Sequence, residues 1–138
     1  MGAELKVVAE ALYVARFDPV WARRPYWMLR RCISPYVAAG QFLVLRRDGL
    51  PIAFAGWARE SPGRATPWRE NRYLPARDEI VGDGDCCVVD MLSPFVPAAR
   101  VIEGVRQFMG SACPVHWIEY DADRLLVAVH EEPHFRKA

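Results

Sequence analysis

Residues 86–95 read Cys86-Cys87-Val88-Val89-Asp90-Met91-Leu92-Ser93-Pro94-Phe95. An apolar run of strand character leads into a carboxylate, and a proline and an aromatic then carry the chain out of the strand toward a helix. An ionised carboxylate in such a place costs free energy unless it is paired or used. Two readings of Asp90 follow. It is a functional carboxylate, or it is a structural aspartate that caps the next element.

Beyond this stretch, Val101, Ile102, Val105, Phe108 and Met109 recur at helical spacing, which predicts a helix from about Pro97 through Met109, ended by Gly110. Residues 114–120 and 125–129 predict two strands joined through Asp121-Ala122-Asp123, followed by a polar tail. Ahead of it, 41–47 and 51–58 alternate in strand fashion around Asp48-Gly49, the signature of a two-residue hairpin turn. Residues 60–85 show no clear period and read as a long loop. At the start, Leu5, Val8, Ala11, Leu12 and Ala15 predict a first amphipathic helix over 4–15, broken by Asp18-Pro19. A second helix starts near Pro25 and is expected to run toward Pro35. The expected class is α/β (α+β), with a mixed, mostly antiparallel sheet flanked by helices in one domain spanning 1–138.

The chain has 138 residues, enough to bury a core without staples, and 52% apolar with 25% charged residues excludes disordered and fibrous classes. A net charge of +1 gives no general pull toward nucleic acid or membranes, and no apolar run is long enough to span a bilayer. Met1-Gly2-Ala3-Glu4-Leu5-Lys6 has neither the basic start of a signal peptide nor the Ser or Thr of a myristoylation signal. Cys32, Cys86, Cys87 and Cys113 lack paired CxxC spacing, so no metal site is expected and reduced, cytoplasmic thiols are the default. Cys86 and Cys87 should point to opposite faces of their strand. His116 lies in an apolar strand pattern and reads first as a core or edge histidine, while His130 and His134 fall near the end of the chain. Arg23, Arg24, Arg30 and Arg31 flank the second helix as a solvated basic cluster, or as a docking patch for an acidic partner.

A hairpin, then a strand that ends in a proline-containing turn and feeds a helix, resembles the layout of the N-acyltransferase (GNAT-like) superfamily. That resemblance implies a central strand splayed from its neighbour, with the amides of Met91 and Leu92 offered to a thioester carbonyl. The turn 93–99 has no glycine, so a cradle for the pyrophosphate of coenzyme A is not supported. More specifically, Pro35, Gln41, Phe42, Arg47, Asp48, Pro51, Ala53, Phe54, Trp57 and Ala58 form one block, and Gly84, Asp85, Asp90, Pro94 and Phe95 a second. Their order and spacing resemble the RTX toxin-activating (hemolysin-activating) lysine acyltransferases over residues 10–110.

The resemblance implies transfer of a fatty acyl group from acyl-acyl carrier protein to a lysine ε-amino group, with no bound cofactor. It implies acyl carrier protein and a lysine-containing protein or peptide as partners, no nucleic acid, and a homodimer. The family aspartate carries over to Asp90. The family histidine does not: an ungapped count back from Gln41 and Pro35 puts Trp21 at its position, and an indole cannot accept a proton. Lysine must lose a proton before it attacks a thioester, so Asp90 would accept or position that proton, or His116 would reach in from the neighbouring strand. Two alternatives accompany this expectation. One is a catalytically lapsed relative that binds acyl carrier protein or another partner, and the other is a coenzyme A-dependent small-molecule N-acetyltransferase.

Overall fold

A computed structural model describes residues 2–19, 21–59, 86–110, 113–120 and 126–130. Helix α1 spans Gly2–Ala15, a 3-10 turn spans Trp21–Arg23, and helix α2 spans Tyr26–Ala39. Strands β1 (Phe42–Arg47), β2 (Leu50–Arg59) and β3 (Cys86–Leu92) follow. Helix α3 (Ala98–Met109) then leads to β4 (Val115–Tyr120) and β5 (Leu126–His130). The sheet order is β1-β2-β3-β4-β5. Only β3 and β4 run parallel, joined through α3, and the other three pairs are antiparallel. The expected mixed α+β architecture is therefore present. The loop expected over 60–85, the linker 121–123 and the tail with His134 lie outside the described residues.

The β1–β2 hairpin closes through Asp48-Gly49, with Arg47 opposite Leu50. Both turn residues have positive φ, 53° and 84°, which matches the strand twist and suits an Asp-Gly pair. Two layers of core flank the sheet. On one face Ala53, Ala55, Trp57, Cys86 and Val88 pack against Val101, Ile102 and Val105 of α3. On the other, Phe54 and Leu92 pack with Ala11, Val14 and Ala15 of α1 and with Cys32, Ile33 and Val37 of α2. Cys86 and Cys87 face opposite layers, as strand alternation requires, and the four cysteines are free thiols.

Three local expectations are corrected. Leu5 is 62% exposed, and α1 buries Val14 in addition to Ala11 and Ala15. Helix α2 does not stop at Pro35 but continues one more turn to Ala39, with Pro35 buried inside it. Packing of Ile33, Tyr36 and Val37 outweighs the backbone bond that a proline cannot donate. Gly40, at φ 73°, then ends the helix by donating its N–H to the carbonyls of Tyr36 and Val37. Third, Asp90 is not the end of its strand, because β3 runs two residues further to Leu92.

Candidate functional site

Strand β3 carries an irregularity at the residue that matters most. Trp57 of β2 pairs with Val88, and Gly56 pairs with Asp90, so Val89 is an extra residue on β3. Such a bulge shifts the alternation of side chains by one. Cys86, Val88 and Met91 thus pack on the α3 side, while Cys87, Val89 and Leu92 pack on the α1/α2 side. Asp90 joins the second group. It is 2% exposed, and the Tyr36 hydroxyl of α2 donates a hydrogen bond of 2.8 Å to its Oδ2.

The cap reading of Asp90 is not what the structure shows. Helix α3 has Pro97 at its N-cap and no side-chain cap, and Ser93 Oγ–H serves the preceding turn by donating to the Val96 carbonyl. The carboxylate is answered by a residue 54 positions away instead.

Space for that contact comes from Gly56. A Cβ built there would lie 2.5 Å from both Cγ and Cδ2 of the Tyr36 ring. The ring therefore occupies the place a side chain at 56 would take. Gln41 fixes the same corner: its N–H donates to the Tyr36 carbonyl at 2.9 Å, and its Nε2 donates to the Trp57 carbonyl at 2.9 Å. In return the Trp57 N–H donates to the Gln41 carbonyl at 3.1 Å. Gln41 and Trp57 of the first sequence block thus tie the end of α2 to β2 beside Asp90.

The β3–β4 ladder pairs Cys86 with Val115, Cys87 with His116 and Val88 with Trp117, and ends there. Among the described residues, 89–92 of β3 and 118–120 of β4 continue past the last pair. Asp90 lies in that part of β3. Successive amides of a strand point to opposite edges, so at most one of Met91 and Leu92 can turn its N–H away from β2. Both residues remain in register with β2, opposite Ala55 and Phe54.

The other expected site residues fall in different places. His116 is 4% exposed and, through its partner Cys87, shares the α2-facing side of the sheet with Asp90. Because of the bulge, only two residues of β2, from Ala58 to Gly56, separate the level of His116 from that of Asp90, roughly 7 Å of rise. Trp21 is a core residue, packed among Ala11, Val14, Cys32, Ile33 and Leu92. Its backbone N–H donates to Asp18 Oδ1 at 3.1 Å, and the Arg24 guanidinium lies 5.0 Å above its ring. Arg24 is therefore partly absorbed into packing, whereas Arg23, Arg30 and Arg31 are exposed. Arg30 in turn lies over the exposed Tyr26 ring.

Sequence reasoning missed Tyr36 and Gly56. Gly56 did leave a signal, since an isolated glycine inside a strand pattern marks a close approach by another group. Tyr36 left none beyond its place in an apolar helix face.

No family model matches the chain. Similarity is found to the RTX-I toxin-activating lysine-acyltransferase ApxIC of Actinobacillus pleuropneumoniae, 23% identical over 101 residues, covering 73% of this chain and 59% of the relative. It is also found to the RTX-II toxin-activating lysine-acyltransferase ApxIIC of the same organism, 29% identical over 97 residues, covering 64% of this chain and 59% of the relative. The likeness is to lysine acyltransferases. The chain spans 59% of the length of each of these two relatives.

Proposed function

We propose that this chain is a diverged lysine N-acyltransferase that moves a fatty acyl group from acyl-acyl carrier protein to a lysine ε-amino group. The observation that carries the reading is the setting of Asp90: a carboxylate inside a strand, beyond a bulge, where β3 continues past its ladder with β4. A parallel pair that parts in mid-sheet is what an N-acyltransferase-like fold needs in order to admit a thioester between two strands. The similarity to lysine acyltransferases supports the same acceptor chemistry.

In this mechanism the lysine ammonium gives up a proton to Asp90, directly or through water. The free amine attacks the thioester carbonyl and forms the N–C bond, and the resulting oxyanion collapses as the C–S bond breaks. An N–H of β3 on the edge away from β2, from Met91 or Leu92, stabilises the oxyanion. The carrier's thiolate leaves and takes up the second proton, which the attacking nitrogen loses as the amide forms. Asp90 does this work without a histidine at position 21, where Trp21 fills the core. His116 shares the sheet face and is the alternative base. The exposed Arg23, Arg30 and Arg31 supply charge suited to an acidic carrier protein.

A second reading has its own support. Asp90 is almost fully buried and Trp21 is built into the hydrophobic core, which suits a relative that kept the fold and binds a partner without turnover. Intact-mass analysis separates the two. A lysine-containing acceptor incubated with the protein and long-chain acyl-acyl carrier protein gains one acyl mass under the first reading, and Asp90→Ala abolishes the gain. A stable complex with the carrier and no gain supports the second, and a gain with acetyl-coenzyme A alone supports a small-donor acetyltransferase.

A further inference from the structure

Tyr36 and Gly56 belong to none of the motifs that pointed to Asp90, yet they decide how its carboxylate sits. The Tyr36 hydroxyl reaches Asp90 Oδ2 at 2.8 Å, and the two residues are 3% and 2% exposed. Gly56 is the cross-strand partner of Asp90 and leaves the ring its space, since a Cβ there would lie 2.5 Å from ring atoms of Tyr36. Those atoms include Cγ, which cannot swing away while the hydroxyl stays on the carboxylate. The backbone of Tyr36 is anchored too, through its carbonyl to Gln41 and from Gln41 to Trp57.

We infer that Tyr36 is a positioning residue for Asp90, and that Gly56 is the vacancy that lets it act. The inference rests on the acyltransferase reading of Asp90. A donor held on one oxygen stops rotation of the carboxylate about its Cβ–Cγ bond, so its remaining lone pairs keep one direction. A group that must meet a lysine ammonium at hydrogen-bond distance gains from that constraint. Tyr36 touches the carboxylate and acts through it.

Tyr36→Phe keeps the ring and removes only the hydroxyl, and it is read in two ways. In denaturant unfolding, the folding constant should drop about 10- to 100-fold in the otherwise native chain and stay level or rise in an Asp90→Ala background, where the hydroxyl has already lost this acceptor. Equal drops in both backgrounds would overturn the pairing. In acyl transfer from acyl-acyl carrier protein to a lysine peptide, kcat should fall about 10- to 100-fold with KM for the donor unchanged. Gly56→Ala should reproduce that split. An unchanged kcat in folded Tyr36→Phe protein would overturn the positioning role while leaving the acyltransferase reading intact. If the native chain transfers nothing, the acyltransferase reading fails and the positioning role with it, and the unfolding comparison still decides the pairing.

Discussion

Asp90 sits inside a strand with hydrophobic layers on both faces of the sheet, and a carboxylate there needs a donor. Tyr36 supplies one, and Gly56 makes room for it. Asp90→Ala would leave the Tyr36 hydroxyl buried without this acceptor and should cost about 1–3 kcal/mol in urea unfolding. Gly56→Ala forces the ring from its place and should cost about 1–3 kcal/mol by the same measurement. Trp21→His tests a different idea. If tryptophan merely replaced a lost base, the substitution would raise transfer. Because the indole is packed among Ala11, Val14, Ile33 and Leu92, we expect a loss of roughly 3 kcal/mol, of the size seen for large-to-small core changes, and no gain in rate.

At the scale of elements, the sequence was legible where a local rule governs. The hairpin announces itself through Asp48-Gly49, and both residues take the left-handed backbone that such a turn demands. Helix α3 follows from the spacing of Val101, Ile102 and Val105, all of which are buried. Pro35 misled because it normally stops a helix, whereas here the buried face around Ile33 and Val37 carries α2 onward. The bulge at Val89 was not legible, since an extra residue in one strand shows only against its partner. It is this bulge that turns Asp90 toward α2.

Contacts between elements also set a pH dependence. Arg46 of β1 grips Glu10 of α1 with two bonds of 2.8 and 2.6 Å, and this hydrogen bonding holds the Glu10 carboxyl below its ordinary value near 4.5. A depressed carboxylate stabilises the fold above its unfolded value and loses that contribution as pH falls through the folded one. Glu10→Gln should therefore be less stable than the native chain at pH 7, by less than about 1 kcal/mol for so exposed a pair. The gap should close as pH drops from about 4.5 downward, and urea unfolding at pH 7 and pH 3 would measure it.

On the scale of the whole molecule, the order of elements and the central carboxylate could be read from periodicity and from two separated sequence blocks. The partner of that carboxylate could not. Tyr36 and Asp90 are 54 residues apart, and no local pattern links a helix tyrosine to a strand aspartate. In the sequence, Gln41 and Trp57 are hairpin residues that match a family pattern. Their exchange of hydrogen bonds gives them a physical reason, because it fixes the end of α2 against β2 where Tyr36 meets Asp90. Gln41→Ala should accordingly cost about 1–2 kcal/mol and lower transfer along with Tyr36→Phe.

In the proposed reaction Asp90 serves acyl transfer from a carrier protein to lysine. The direct measurement is the intact mass of a lysine-containing acceptor after incubation with the native chain or Asp90→Ala, each supplied with long-chain acyl-acyl carrier protein. We expect a gain of one fatty acyl mass with the native chain and none with Asp90→Ala. An equal gain with folded Asp90→Ala, or no gain with the native chain, would contradict it.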